Sequence, residues 1–543
     1  MKRYLFLFYC ILLVFSLFAL NDGQRLVPAG HWVYESLWKL SLETGEVPLL
    51  NTAPLSRAEI DRYMAALDTA RLSAAGMQER ERVLDFLNKG TLSYNPSPFT
   101  VGIDPSLHIE SYYKSSTEIP WVYDNKEKKH LLDLPIIISL ENYLTAESNF
   151  FLANNYWTML EADNFLNVPL GNMDSDIHFP DFAYISFGLP FAGNFSFNAQ
   201  LGKGALSLGK TQLGNIILND SFYHDAYAVF SLYSPRFRYA AYTLQAEVNK
   251  YLYMHKMDFN FKRFQFSILE GAMVAAPLEL RFLNPVMIFH NYAAWRSYAD
   301  YDEDVDDDEK IKSRVGSYFA ASFDYTPWKN MRLYGILAFN QFQLPFERKN
   351  FGDAAASIPD SLGFQGGFET SLPYKAGYFI GGIEGVYTSP WFYFTESKES
   401  SFYSKRLDLI KNTSKNINSW VGFPFGPDTI AGNFYFGYDK GGDWSAKVSY
   451  RFLAQGEMSG EKGFKVLNKA DFYPSSPEEA LITSPSGIAQ FSHTIGIGGS
   501  YKPLSYLEIS SQLAYTFIIN KNNIKNNNGS GVELVLSTSF LLP

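Results

Sequence analysis

The stretch from Tyr251 to Asn291 constrains the fold more than any other part of the chain, because it alternates. Tyr251, Tyr253, Met257, Phe259 and Phe261 fall at odd positions, with Lys256, Asp258 and Asn260 between them. Beyond Lys262-Arg263 the pattern resumes, with Phe264, Phe266 and Ile268 set against Gln265 and Ser267. A period of two is that of a strand, not a helix. A turn at Lys262-Arg263 places Phe261 opposite Phe264, Phe259 opposite Phe266 and Met257 opposite Ile268. It also places His255 opposite Glu270. One face of the hairpin is aromatic and apolar, the other wet. A soluble sandwich can show this pattern, but a membrane barrel requires it, with the apolar face toward lipid and the polar face toward the lumen.

The rest of the chain favours the barrel. There are 46 Phe and 36 Tyr in 543 residues, yet the mean hydropathy is only −0.13. No 18-residue apolar run occurs after residue 20, so the sequence has no pattern for a membrane-spanning helix there. Many aromatics without long apolar runs are what alternating strands produce. A net charge of −10 argues against nucleic acid as a partner.

Residues 1–20 read as a secretion signal: Lys2 and Arg3, an apolar run from Tyr4 to Leu20, then polar Asn21-Asp22-Gly23. The single cysteine, Cys10, lies in that run. Leu7-Phe8-Tyr9-Cys10 loosely resembles a lipoprotein box, but Tyr9 is too bulky for one and the apolar run continues past it. The exported chain is therefore expected to lack cysteine and disulfides.

Residues 26–90 have a different texture. Trp32, Leu37 and Leu40 recur at helical spacing ahead of Gly45. Ser56-Arg57-Ala58-Glu59 is a capping box that opens a second helix toward Leu67. Ser73 caps a third, with Met77, Val83, Leu84 and Leu87 inward and Gly90 at its end. Three short helices bury little area alone, so this domain is expected to dock against something larger, as a plug on the periplasmic side. From residue 95 to 543 the chain reads as strands. Alternation runs through Phe182–Lys210, Tyr227–Val248 and Met331–Phe342. Hairpins are expected over Gly432–Phe452 and His493–Ile519, with a tight turn at Tyr501-Lys502-Pro503-Leu504 and a last strand at Val532–Phe540. The predicted fold is an all-β transmembrane barrel of about 16–18 antiparallel strands with a small N-terminal α-helical domain.

Motifs suggestive of chemistry are weak in this context. Gly204-Ala205-Leu206-Ser207-Leu208-Gly209-Lys210-Thr211 matches the phosphate-loop pattern, which works only between a strand and a helix. No amphipathic helix follows Ile216-Ile217-Leu218, so the match reads as coincidence. Asp300 to Glu309 holds eight acids in ten positions and reads as a solvated loop outside the cell. Asp302, Asp304 and Asp306 have calcium-loop spacing, but Asp307 stands where that loop needs Gly and Ser313 where it needs Glu. Asn520 to Gly531 is a second polar loop tip. His224-Asp225 and the His255–Glu270 pair invite a barrel hydrolase, yet no GxSxG or HExxH accompanies them. The pair reads instead as a structural ion pair at a barrel rim. Trp295, Trp391 and Tyr393 are candidates for stacking on sugars, or for interface and loop packing.

Three blocks, taken together, resemble the capsule assembly Wzi family of outer-membrane proteins. They are Gly30-His31-Trp32-Val33-Tyr34-Glu35-Ser36-Leu37 followed by Gly45, then Leu208-Gly209-Lys210 with Leu218-Asn219-Asp220, then Tyr253–His255 with Glu270 and Leu283-Asn284-Pro285. The blocks span about residues 30–295. On this resemblance His255, Glu270, Asn284, Pro285 and Lys210 are the family-motif residues. It implies an 18-stranded barrel with a periplasmic helical domain, acting without catalysis as a surface lectin for capsular or exopolysaccharide. Lys210 stands where the family often has Arg.

The expected function is thus binding, attachment or export of surface polysaccharide at the bacterial outer membrane, with a diffusion porin as the alternative. No catalytic residue, metal or cofactor is expected. The expected partners are outer-membrane lipid and surface polysaccharide, and the expected state is a monomer.

Overall fold

A computed structural model describes residues 16–18, 22–49, 51–89, 91–94, 98–123, 127–154, 164–168, 180–191, 194–220, 226–289, 314–342, 357–410, 413–469 and 472–541. Cys10, most of the leader, His224-Asp225, Trp295 and the whole of Asp300–Glu309, with its calcium-like spacing, lie outside these residues.

Eighteen antiparallel strands close into a barrel. In chain order they are β1 Ser106–Lys114, β2 Leu132–Leu140, β3 Leu144–Leu152, β4 Ala183–Pro190, β5 Ser196–Lys203 and β6 Ala226–Tyr233. Next come β7 Phe237–Glu247, β8 Lys250–Asn260, β9 Phe264–Val274, β10 Val315–Tyr325, β11 Met331–Gln341 and β12 Ser361–Tyr374. The last six are β13 Gly377–Thr388, β14 Thr429–Lys440, β15 Trp444–Gln455, β16 Gln490–Leu504, β17 Leu507–Ile519 and β18 Gly529–Leu541. β18 pairs with β1 from Leu541↔Ser106 to Glu533↔Lys114 and so shuts the cylinder. β1 meets β2 only through Ser106 and Leu107. The preceding segment Phe99–Ile103 supplies the rest of that seam, pairing with Ile136–Leu140.

The β8–β9 hairpin has the expected register. His255 pairs with Glu270, Met257 with Ile268 and Phe259 with Phe266. Phe261 N–H donates to the Phe264 carbonyl at 2.8 Å, and Lys262 takes a φ of 70° to make the turn. Met257, Phe264, Phe266 and Ile268 point outward and are exposed, while Lys256 and Asp258 are buried on the lumen side. The expected turn at Tyr501–Leu504 is not one. β16 runs through it with a bulge between Tyr501 and Leu504, and the chain turns at residues 505–506. Pro503 sits in that bulge, where the ladder needs no N–H from it.

The two ends of the barrel differ. One has eight short connections of two to five residues, as at 141–143, 261–263 and 505–506. Seven of the eight are flanked by exposed aromatic residues: Tyr143, Phe191, Phe261, Trp328, Tyr374, Trp444 and Tyr506 among them. A ring of aromatics at one level is the mark of a membrane–water interface. The other end carries the long connections, including residues 204–225, 275–314, 389–428 and 456–489.

Three helices precede the barrel. α1 Trp32–Thr44 begins at His31, whose side chain accepts from Val33 N–H, and ends at Gly45, with a φ of 76°. α2 Arg57–Ala66 has the complete Ser56–Glu59 capping box. α3 Ala74–Asn88 is capped by Ser73. They enclose a core of Val33, Leu37, Leu40, Ile60, Met64 and Val83. Met77, expected inward, is exposed, because Glu79 and Val83 set the buried stripe of α3 and Met77 falls off it.

Candidate functional site: an occluded lumen

The helices sit inside the short-turn end of the barrel. The lumen wall is lined with charge, and the helical unit answers it residue by residue. Arg238 of β7 meets Glu59 of α2 at 2.8 Å. Arg25 meets Glu147 of β3 at 3.0 Å and Asp104 at 3.1 Å. Lys256 and Asp258 of β8, 2.6 Å apart, both bond Asn51. Tyr378 of β13 donates to Glu43 at 2.7 Å, and Lys39 joins Glu79 at 3.5 Å and also Asp439 of β14. Buried charges of this kind persist only when paired, so the wall and the unit specify one mutual position. Lys39 and Arg82 offset the effect of burial on Glu79, which alone would raise its pKa, and hold it below the usual carboxylate range.

A second insert closes the lumen from the long-connection end. After β5 the chain does not climb outward; residues 204–219 fold inward without forming a helix. Gln212 and Leu213 N–H donate to Glu384 of β13 at 3.0 and 2.9 Å. Ile216 N–H donates to Gln365 of β12 at 3.1 Å. This is the segment that matched the phosphate loop. Its glycines take positive φ at Gly204 and Gly209, and its lysine holds carboxylates, not phosphate. Lys210 lies 3.0 Å from Glu35 of α1 and 3.4 Å from Glu369 of β12. Burial works against the ammonium, but these two carboxylates outweigh it and hold the Lys210 pKa above its ordinary value. Arg332 of β11 completes the junction. It bonds Asp324 and Glu369 at 2.7 Å each and the Lys210 carbonyl at 3.0 Å. Lys210 thus ties both inserts to the wall.

Between the inserts and the β14–β18 side of the wall remains a cavity of about 400 Å3. Glu35, Trp38, Lys39, Lys210, Gln212 and Glu369 line one side of it. Tyr435, Lys447, Ser510, Gln512 and Ser537 line the other. It combines aromatic surface with hydroxyl, amide and charged groups at a size typical of ligand pockets. Of the candidate residues, only Lys210 reaches it. Trp38 and Tyr435 were not singled out from the sequence; Trp38 lies off the Val33–Leu37–Leu40 stripe of α1 and clusters with Leu42 and Val47, and it carries no local signal of its lumen placement.

Trp391 and Tyr393, candidates for sugar stacking or for interface and loop packing, are buried. The Trp391 indole donates to the Glu479 carbonyl at 3.0 Å, and Tyr393 packs between Phe392 and Trp420. They belong to an apolar cap in which the 389–428 connection packs on Leu206, Leu208, Leu213 and Ile216. No ring face is left for a sugar, because the loops close on one another. His255 and Glu270 do face each other, but not as an open-rim ion pair. The His255 ring turns to Phe289, 4.3 Å away, and to the Met287 main chain. Asn284 and Pro285 lie in the same covering segment, outside the barrel wall.

His108 Nε2 is 2.9 Å from Ser106 Oγ, and its Nδ1 is 2.8 Å from Ser539 Oγ. Asp133 approaches the same Nε2, at 3.7 Å. Asp133 is instead 2.8 Å from His130 Nδ1, and Lys129 donates to Ser539 Oγ at 3.1 Å, so no hydrogen-bonded acid orients the His108 ring and this cluster is not a serine-hydrolase triad. Among the described residues no group of three or more His, Cys, Asp and Glu side chains is placed to hold a metal ion.

No family profile matches the sequence, and no curated protein matches it. Solved structures do. Wzi of Escherichia coli, an outer-membrane protein involved in group 1 capsule assembly and a carbohydrate-binding β-barrel, superposes with a TM-score of 0.58 at 11% identity. The match covers 95% of this chain and 99% of Wzi. OprD of Pseudomonas aeruginosa aligns over 81% of this chain and 93% of its own at 10% identity, with a TM-score of 0.37. The channel DcaP of Acinetobacter baumannii aligns over 82% and 99% at 7% identity, with a TM-score of 0.34. From the closed 18-strand ring to the N-terminal helices, this chain has the fold of the Wzi outer-membrane barrel.

Proposed function

We propose that the protein is a non-catalytic outer-membrane barrel that binds surface polysaccharide and helps to attach or export it. The observation that carries the reading is the lumen cavity, where Ser510, Gln512 and Ser537 face Lys210, Lys447, Glu369 and the Tyr435 hydroxyl. Sugars are held by directional hydrogen bonds from such hydroxyl, amide and charged groups. The carbohydrate-binding Wzi barrel, which shares the fold, supports the same class of ligand. Short turns face the periplasm in barrels of this kind, which supports reading the helical unit as periplasmic and the cap as external. An open porin is disfavoured by the two inserts, both of which are bonded to the lumen wall.

The test is a glycan array probed with the refolded full chain, beside a planar-bilayer conductance trace. Retention on acidic or neutral bacterial polysaccharides that weakens in Tyr435→Ala, with a closed trace, supports the proposal. No retention on any glycan, together with a steady open channel, overturns it in favour of a porin.

A further inference from the structure

The segment from Ala276 to Phe289 runs down the outside of the barrel. Its location follows from strand phase. On β8 the even positions Leu252, Met254, Lys256 and Asp258 are buried in the lumen, whereas the odd positions Met257 and Phe261 are exposed. Tyr253 is therefore an outward residue, yet it is fully covered. What covers it is Phe282, stacked at 5.0 Å and 20°, and Phe289, at 6.5 Å. Ala272, Val274 and Val315, also outward by phase, join the same cluster.

The segment lies at the depth of the hydrocarbon. Phe261 belongs to the aromatic ring at the short-turn end, and His255 and Tyr253 are six and eight residues further along the strand. At ~3.3 Å per residue and a tilt of ~40°, they stand ~15 and ~20 Å above that ring, inside an apolar band ~25 Å tall. Main-chain groups at this depth must be bonded, and the wall provides for them. Tyr239 donates to the Pro285 carbonyl at 2.5 Å, and Glu279 N–H donates to the Tyr253 hydroxyl at 3.4 Å. His255 bonds the Met287 main chain. Asn284 accepts from Val286 N–H at 3.2 Å, and Met287 N–H donates to the Asn284 carbonyl at 3.1 Å. The exposed residues are mostly apolar: Leu278, Leu280, Val286 and Ile288 are 52%, 82%, 84% and 58% exposed, and Asn284 is the polar exception. The segment's Arg281 and Glu279 are 2.5 Å apart.

We infer that residues 276–289 form a lipid-embedded strap, whose outer face is solvated by the acyl chains of the membrane leaflet at the long-connection end. The occupant is lipid because this face continues the belt formed by Met257, Ile268 and Phe323, and because the segment bonds the wall at Glu279 and Pro285 and itself at Phe282, Asn284, Val286 and Met287. His255, Asn284 and Pro285 then act as the fixings of the strap.

The test uses spin labels on the full chain in nanodiscs, one barrel per disc. Val286→Cys and Leu280→Cys are labelled beside Ile268→Cys in the belt and Lys525→Cys in the polar tip. Both strap labels should collide with oxygen as Ile268 does. Their collisions with a water-soluble nickel chelate should be several-fold fewer than those at Lys525. Nickel accessibility equal to that of Lys525 overturns the inference. So does shielding from oxygen accompanied by dipolar broadening in discs holding two copies, which would make this face a contact between barrels.

Discussion

The Arg332 guanidinium lies 4.1 Å from the ring centre of Trp38. Arg332 is a wall residue of β11 and Trp38 belongs to α1, so one cation–π contact joins barrel to plug. The same guanidinium holds Asp324 and Glu369, and Glu369 in turn holds Lys210. Four elements meet at this one cation.

Arg332→Ala leaves Asp324 and Glu369 facing each other across a buried gap. Removing one partner of a buried pair costs about 3–5 kcal/mol. A lower urea midpoint for barrel unfolding is expected, read from the heat-modifiable band on gels. A midpoint equal to that of the parent would show that these carboxylates reach water.

Deleting residues 26–90 removes the helical unit and its bonds to the wall. The barrel should still form, because the 18-strand ladder contains none of the deleted residues. Single-channel conductance should rise. A trace as silent as the parent's would mean that residues 204–219 and the outer cap seal the lumen by themselves.

The helical unit should loosen in acid. Burial, then Arg57 and Arg25, hold the His31 pKa down to about 3. The neutral ring caps α1 by accepting from Val33. A histidine lowered in the folded state contributes stability above its unfolded value of ~6.5 and loses it as pH falls toward the folded value. Proteolysis of the helical unit should therefore accelerate between about pH 6.5 and 3, and His31→Asn, which caps without titrating, should flatten that profile. Equal acid sensitivity in both proteins would assign the effect to other groups.

Strand register can be checked covalently. His255→Cys with Glu270→Cys should cross-link under mild oxidation, since the two are directly paired. Met257→Cys with Glu270→Cys should not, because Met257 pairs with Ile268. Preferential linking of the second pair would mean a slipped ladder.

Strands were legible wherever one face meets lipid and the other the lumen, because that contrast writes a period of two into residues such as Phe264–Ile268. The capped helices were legible for an equally local reason, with Ser56 and Glu59 bonded to each other's backbone. The site was not. Lys210 sits in a phosphate-loop look-alike, and its partners Glu35 and Glu369 are distant in sequence. Trp391 and Tyr393 looked like sugar platforms because aromatic residues in a loop read the same whether loops splay or close. The covering of Tyr253 was hidden too, since a strap over the wall leaves the strand's own alternation unchanged.

The seam has a consequence for how such a plug behaves. Thr91–Tyr94 pairs with Phe99–Ile103 at the barrel wall, directly between α3 and β1. A helical unit that let go of the lumen would remain moored there. A short tether keeps a released partner at an effective concentration on the order of millimolar, so return is favoured whatever the bulk dilution. Release without loss makes the occlusion self-restoring, with a dwell time set by the ion pairs at Arg238, Lys39 and Arg25.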